Sequence, residues 1–220
     1  MTAGSGLIDD GDRTIKGSPL IALKAFREQP DFRVSCLFVE YNHSYAAELN
    51  AAISAERAEW PLADQQRINY EIKCLDHREI LRTIDAHRDA IGLLYWDGLG
   101  GDIFPADELR QWLTDNPRHD LLVMASGTAQ KRMARPRLDA LLASMPSGSI
   151  VWLTSPCGPW QWVFALVSRW IPLGQKMSGP FKLRDATSEI GKQILDTLAT
   201  TKEERALREQ LDLWNTNENR

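Results

Sequence analysis

Residues 33–60 read RVSCLFVEYNHSYAAELNAAISAERAEW, a continuous apolar segment followed directly by one rich in Ala, Leu and Glu. The first part, RVSCLFVE, is typical of a β-strand that is buried on both faces. The second part, from Ser44 to Trp60, consists of strong helix formers, and Ser44 is placed to cap its start. A strand that is followed at once by a helix is the repeating unit of a parallel α/β sheet.

The same alternation recurs on both sides of this unit. Further strand-like segments lie at 67–74, 90–97, 119–126 and 148–155. Helical patterns lie at 17–29, 76–87, 105–115 and 129–144. We therefore predict an α/β fold with a Rossmann-like, doubly wound and mostly parallel sheet that is covered by helices on both faces.

Towards the carboxyl end the alternation of strand-like and helical segments becomes less regular. The segment 158–172, GPWQWVFALVSRWIP, holds too many large apolar residues for an exposed loop, and we expect it to pack on the sheet as a helix. A helical stripe follows between Thr187 and Leu213. The expected organisation is a Rossmann-like domain over 1–175 and a helical C-terminal extension over 176–220.

Composition limits the class of protein. The chain has 220 residues, of which 43% are hydrophobic and 25% charged, and no apolar run approaches the about 20 residues that span a bilayer. The start MTAGSG lacks the pattern of a secretory signal, and the three cysteines are odd in number and far apart. We therefore expect a cytoplasmic protein that does not enter a membrane. A net charge of −4 argues against a surface coated with basic residues for nucleic acid.

Ligands of an open parallel sheet bind beyond the carboxyl ends of its strands, so the residues that follow each strand are the informative ones. Four places carry suitable chemistry: Ala3-Gly4-Ser5-Gly6, Glu40 with Tyr41, Asp76 with His77, and Asp97. Glu40 is suited to the two hydroxyls of a ribose, and a solvated rim position is its alternative. Asp76 suits an adenine amino group or serves as a helix cap. Asp97 lies among glycines and has no helix to cap at once, which favours a functional role.

A basic cluster follows the strand-like segment that ends near residue 126. Its members are Lys131, Arg132, Arg135 and Arg137. They suit contacts with phosphate groups if nucleic acid is a substrate, and a solvated helix face is the alternative. The histidines show no spacing of the zinc-binding kind, so we expect no metal site, and Cys157 has no neighbouring base in the sequence that would make it a nucleophile.

Five segments resemble the three-Cys-motif partner family, which has a methyltransferase-like Rossmann domain. They are AGSG…DDG…GSPLIAL at 3–23, LFVEYN at 37–42, CLDHREIL at 74–81, LLYWDGLGG at 93–101 and DLLVMASGTAQKRM at 120–133. The gap between the glycines and Gly-Ser-Pro is the most specific of these features. In the family an apolar strand with an acidic first residue precedes the glycine loop. Only Met1 and Thr2 precede Ala3 here, so we expect an N-terminally truncated relative.

The resemblance implies S-adenosylmethionine as the cofactor. It places Gly4 and Gly6 near the methionine part, Glu40 on the ribose, Asp76 near the adenine and Asp97 near the methyl-transfer end. The implied cofactor site also includes the neighbours Ala3, Tyr41 and His77. Asp97 is the one base that we name for removing a proton from the methyl acceptor.

The family also implies a protein partner, because its members are encoded beside a three-cysteine protein that looks like a radical enzyme, in some cases in mobile elements. The sequence therefore leaves two functions open. One is methyl transfer from S-adenosylmethionine to an unknown acceptor, with nucleic acid as one candidate. The other is a non-catalytic Rossmann module that serves as the partner of the three-cysteine protein.

Overall fold

A computed structural model describes residues 4–9, 11, 14–84, 90–97, 106–126, 142–143, 145–154, 162–169 and 183–200. The chain forms two compact units, Met1–Ile84 and Asp85–Arg220. Each unit has strands and buried apolar side chains of its own.

The first unit is built on a parallel strand pair and an antiparallel hairpin. Its elements are β1 (Leu7–Asp9), β2 (Thr14–Lys16), α1 (Ser18–Arg27), β3 (Val34–Glu40), α2 (His43–Ala58), α3 (Leu62–Arg67), β4 (Ile68–Cys74) and α4 (His77–Thr83). Strands β1 and β2 form the hairpin, and β3 pairs in parallel with β4 from Val34–Ile68 to Glu40–Cys74. The predicted strands at 33–40 and 67–74, and the helix between them, are confirmed.

The cap of α2 lies two residues before the predicted one. The side-chain oxygen of Asn42 accepts hydrogen bonds from the backbone amides of Ser44 at 2.8 Å and Tyr45 at 3.3 Å, so Asn42 is the cap. The Ser44 hydroxyl instead donates to Glu48 within the helix at 3.0 Å. Asparagine is as good a cap as serine, and its position one residue before His43 lets the helix begin earlier.

The core of the first unit lies between the helices and the parallel strands. Buried side chains come from α1, α2, β3, β4 and the turn after α2: Leu20, Leu23, Phe38, Leu49, Ile53, Trp60 and Ile68. Each such side chain contributes about 1.5–3 kcal/mol to folding when it leaves water. Arg67 closes the carboxyl end of α1, since its guanidinium donates to the carbonyls of Phe26, Arg27 and Gln29.

The second unit contains a five-stranded mixed sheet. Its elements are β5 (Gly92–Asp97), α5 (Ala106–Asp115), β6 (His119–Ser126), β7 (Ile150–Leu153), β8 (Trp162–Ser168), β9 (Arg184–Asp185) and α6 (Glu189–Ala199). The strand order is β5-β6-β8-β7-β9. Strands β5 and β6 are parallel, whereas the other three pairings are antiparallel. The mixed α/β class follows the prediction, and the antiparallel half of this sheet was not expected from the sequence.

The helix expected over 158–172 is wrong for the described residues, since Trp162–Ser168 form strand β8. This strand lies between β6 and β7, and it is hydrogen-bonded to both. A short, continuously apolar segment fits a buried strand and a buried helix equally well, so its periodicity does not distinguish them.

One face of this sheet is the core of the second unit. It is lined by fully buried side chains, among them Trp96, Leu121, Val123 and Ala165. Helix α5 adds Trp112, whose ring meets the imidazole of His119 edge to face at 5.3 Å between centroids.

The described part of the C-terminal extension contains helix α6, as predicted, but it begins with the two-residue strand β9, which was not expected. The Ser188 hydroxyl caps α6 by accepting from the amide of Gly191 at 3.0 Å, and Ile194 and Leu198 are buried. The helix predicted at 129–144 lies almost wholly outside the described residues. The domain boundary at residue 175 stays a prediction. None of the described helices combines the length and the apolar character that crossing a membrane requires.

Candidate functional site

The glycine loop of the first unit has a left-handed backbone at both glycines that the sequence singled out. Gly4 has φ of 64° and Gly6 of 78°, a region that side chains disfavour. A Cβ atom at Gly6 would also lie 2.7 Å from Leu49 Cδ1, so this position has no room for a side chain. At Gly4 no atom of the described residues lies within 4 Å of such an atom, which leaves the backbone there open to approach.

The gap between these glycines and α1 is a β-hairpin. Strands β1 and β2 pair through Leu7–Lys16, Ile8–Ile15 and Asp9–Thr14. The Gly17 amide then donates to the Gly6 carbonyl at 2.8 Å and closes the hairpin at its base. Asp-Gly between two short β-prone segments was the available sequence signal for this turn.

Glu40 binds the glycine loop directly. Its side chain is 2% exposed, and Oε2 accepts a hydrogen bond from the Gly4 amide at 2.8 Å. Oε1 accepts from the amide of Asn42, also at 2.8 Å. A buried carboxylate needs such bonds, because an unpaired charge is costly away from water. The structure therefore brings Gly4, Gly6 and Glu40 together at the carboxyl end of β3.

The loops after β3 and β4 meet at the same rim. The Cys74 thiol donates to the Tyr41 carbonyl at 3.3 Å, and the Tyr41 side chain is 69% exposed. The Asp76 carbonyl accepts from the Glu79 amide at 3.0 Å and so begins α4, in which His77 is the first residue.

Several predicted site residues fall outside the described part of the structure. These are Ala3, the side chain of His77, and the cluster Lys131, Arg132, Arg135 and Arg137. Their roles stay predictions. No group of three or more His, Cys, Asp or Glu side chains that could hold a metal ion occurs in the described ranges.

Asp97 ends β5 in the second unit. Burial raises the pKa of its carboxyl group. Its Oδ1 atom is buried and has no hydrogen-bond partner among the described residues. A half-buried carboxylate with one free oxygen is suited to accept a proton.

Tyr95 is the neighbour that sequence reasoning missed. It lies opposite Leu122 in the β5–β6 pair, and Asp97 lies opposite Met124, so both side chains are on one face of the sheet. The pKa of the Tyr95 hydroxyl is raised by burial first and then by the charge of Asp97. The i, i+2 spacing was the available signal, and it has meaning only after the segment is known to be a strand.

The amino end of β6 carries a second pair of perturbed groups. Burial lowers the pKa of His119 and raises that of Asp120. Their Nδ1 and Oδ1 atoms are buried without partners. Ligands of such sheets bind at the carboxyl end of the strands, which in β6 is the end at Ser126. His119 and Asp120 lie at the other end.

The described cysteines are weak candidates for a nucleophile. Burial raises the pKa of the Cys36 thiol to about 11, so it is protonated near neutral pH. Cys74 donates its proton to a backbone carbonyl, as described above.

Comparisons with known proteins add a fold relative. No family model matches the chain, and no curated protein does. The solved structure of protein LPL1258 from Legionella pneumophila str. Philadelphia 1, family model DUF519, has a TM-score of 0.50 at 13% identity, covering 85% of this chain and 62% of that chain. The chain thus spans less than two thirds of that relative, with which it shares a fold. The glycopeptide N-methyltransferase MtfA gives a TM-score of 0.38 at 11% identity, over 67% of this chain and 88% of that chain.

Proposed function

We propose that this chain is a methyltransferase-like protein that binds S-adenosylmethionine at the rim formed by Gly4, Gly6 and Glu40. The observation that carries the proposal is the buried Glu40 carboxylate, which binds the Gly4 amide at 2.8 Å. A glycine-rich turn beside an acidic residue at the end of the next strand is the usual arrangement around a nucleoside ligand in doubly wound sheets. The resemblance to the three-Cys-motif partner family supplies the identity of the cofactor.

The doubly wound arrangement is part of the same proposal. The first unit contains the succession β3, α2, α3, β4, and the second contains β5, α5, β6, with each strand pair parallel. A parallel pair joined through a helix is the building block of such sheets.

The residues of the first unit fit a nucleoside with a charged tail. Each oxygen of Glu40 accepts one hydrogen bond, and a carboxylate oxygen has capacity for a second, which ribose hydroxyls would use. The open backbone at Gly4 would admit the methionine part, and the exposed ring of Tyr41 and the side chain of Asp76 would contact the adenine. The bound cofactor would supply a methyl group on a positively charged sulfur. An acceptor would attack the methyl carbon in line, and the sulfur would leave as a neutral thioether.

Asp97 is the proposed base for the acceptor. Its free Oδ1 atom would hold the proton that an O–H or N–H acceptor loses. Nucleic acid is one candidate acceptor, because the basic cluster at 131–137 could contact phosphates. Removal of the acceptor's proton requires one free carboxylate oxygen from the protein.

A non-catalytic role as a protein partner is the second candidate. The exposed hairpin favours it, because Ile8 and Ile15 form a cross-strand apolar pair on an exposed ribbon. A three-cysteine protein is the partner that the family resemblance suggests. In this role the Glu40 carboxylate would stabilise the glycine loop through its hydrogen bond with the Gly4 amide and would bind no cofactor.

Calorimetry with purified protein and S-adenosylmethionine tests the first candidate. We expect binding by the parent chain and at least a tenfold weaker affinity in Glu40→Gln, since the amide cannot accept from both partners and a ribose. Glu71→Gln is the matched control, because that exposed side chain only pairs with Lys73 at 3.6 Å. Absence of binding by the parent chain, with its fold intact by circular dichroism, would refute the cofactor and favour the partner role.

A further inference from the structure

The glycine loop and its hairpin lie along helix α2. A Cβ atom at Gly6 would lie 2.7 Å from Leu49 Cδ1, so the loop backbone is in contact with the helix there. Further along the same helix, Glu56 pairs with Lys16 at the end of the hairpin at 2.6 Å. Leu49 and Glu56 are about two turns apart and therefore share one face of α2. The position of the loop that contains Gly4 consequently depends on the position of α2.

Asn42 joins the start of α2 to the Glu40 carboxylate. Its backbone amide donates to Glu40 Oε1 at 2.8 Å. Its side-chain oxygen accepts from the amides of Ser44 at 2.8 Å and Tyr45 at 3.3 Å. The other carboxylate oxygen, Glu40 Oε2, accepts from the Gly4 amide at 2.8 Å. A continuous chain of hydrogen bonds thus runs from the first turn of α2 through Asn42 and Glu40 to the glycine loop.

We propose that Asn42 is the positioning residue of Glu40: its side chain fixes its own backbone amide at the start of α2, and that amide fixes Glu40 Oε1. The inference rests on the proposed function, because the orientation of the carboxylate matters to a ligand only if Glu40 binds one. Glu40 is 2% exposed, so protein N–H groups rather than water hold its oxygens in place. The Asn42 side chain lies at the surface, and a substitution there opens no cavity in the core.

The alternative role of Asn42 is that of a helix cap alone. A cap stabilises its helix whatever group lies beside it, and asparagine and serine serve equally well. The cap of α6 is of this simpler kind. Ser188 accepts from the Gly191 amide at 3.0 Å, and its own amide donates to the Asp185 carbonyl at 3.1 Å in the adjoining turn. Ser188→Ala is therefore the matched control, because it removes a helix cap that is not bonded to Glu40.

Amide hydrogen exchange tests the coupling without any ligand. It is recorded by NMR for the parent chain, Asn42→Ala and Ser188→Ala. We expect the Gly4 amide to exchange about fivefold faster in Asn42→Ala, since that is the population change that loss of a helix cap typically brings. In Ser188→Ala the Gly4 rate should equal that of the parent chain. Faster exchange that is confined to Ser44 and Tyr45 would show that Asn42 is a local cap, and it overturns the proposal.

Two further variants separate positioning from stability. Glycine at a cap position retains most of the stability but leaves the backbone free to rotate. Asn42→Gly should therefore melt close to the parent chain and still show the fast Gly4 exchange. Serine restores an oxygen that reaches the first turn, so Asn42→Ser should return the Gly4 rate to within about twofold of the parent. Parent-like Gly4 exchange in Asn42→Gly overturns the proposal, even if Asn42→Ala is too unstable to measure.

Calorimetry with S-adenosylmethionine on the same samples separates the two proposals. Asn42→Ala and Asn42→Gly should bind about fivefold more weakly than the parent chain, and Asn42→Ser within about twofold of it, because only serine restores the cap oxygen. Ser188→Ala should bind like the parent chain. A folded parent chain that binds no cofactor overturns the proposed function. Cofactor binding that is unchanged in Asn42→Gly overturns the role of Asn42 alone.

Discussion

Replacing Gly92 with alanine would place a methyl group inside the imidazole of His119. The two residues are directly opposite in the β5–β6 pair. An ideal Cβ at Gly92 would lie 2.0 Å from His119 Cδ2 and 2.3 Å from Nε2, distances that real Cβ atoms essentially never show. The imidazole must therefore move by more than an ångström, and the backbone of either strand would have to shift if it could not.

Little room exists for that movement. The His119 ring meets Trp112 at 5.3 Å between centroids, and the Trp112 side chain is 5% exposed. Forcing an extra carbon into a packed interior costs about 1–3 kcal/mol. For a chain of this length, each kcal/mol lowers the melting temperature by about 2–4 °C. The expected result for Gly92→Ala is a melting temperature lower by several degrees, with the loss confined to the second unit.

A double-mutant cycle measures the contact itself. Denaturant unfolding is recorded for the parent chain, Gly92→Ala, His119→Ala and the double variant. Because His119→Ala removes the ring, the methyl group at position 92 should cost less than about 0.5 kcal/mol in that background. Equal cost in both backgrounds would show that the β-strand backbone, and not the His119 ring, excludes a side chain at Gly92, and our reasoning would be wrong.

Three further changes have expected outcomes. Burial lowers the pKa of His119 below 6.5, so the unfolded chain binds the proton more readily than the folded chain. The free energy of unfolding should therefore fall as the pH drops below 6.5, and His119→Gln should flatten this decline when denaturation is measured at several pH values. Arg67→Ala should destabilise the first unit by about 1–3 kcal/mol, because the partly buried carbonyls of Phe26 and Arg27 at the end of α1 lose their donors, whereas Lys24→Ala on the exposed side of α1 should change the melting curve little. Asn42→Ala should cost about 1 kcal/mol through loss of the α2 cap, and Ser44→Ala clearly less, as thermal melts of the two variants would show.

Local patterns were sufficient for the parallel strand pairs. The segments that became β3, β4, β5 and β6 are apolar, bounded by turn residues and separated by helix formers, so each carries its own evidence. Strand β8 lies in an apolar segment whose local pattern fits a strand and a helix equally well. Its place between β6 and β7 depends on hydrogen bonds to segments roughly 40 and 15 residues away in the chain, which a local pattern does not contain.

The residues of the candidate site could be predicted from the sequence only in part. Gly4 and Gly6 could be named because they form a Gly-x-Gly pair, and Glu40 because it is a carboxylate at the end of an apolar strand. The contact between Gly4 and Glu40 spans 36 residues and required the fold. Tyr95 has no unusual identity for a β-strand, in which tyrosine is common, so only its shared face with Asp97 makes it notable.

The hairpin resolves the apparent mismatch between the glycine loop and α1. In an ordinary dinucleotide-binding turn the glycines lead directly into the helix, whereas here ten residues separate Gly6 from Gly17. The hydrogen bond of 2.8 Å between the Gly17 amide and the Gly6 carbonyl brings the two ends of this insertion together. Helix α1 therefore begins beside the glycine loop, as it would if β1 and β2 were absent. Shortening the insertion to a Gly6–Gly17 junction should therefore preserve both α1 and the contact between Gly4 and Glu40, at the cost of the ion pair between Lys16 and Glu56.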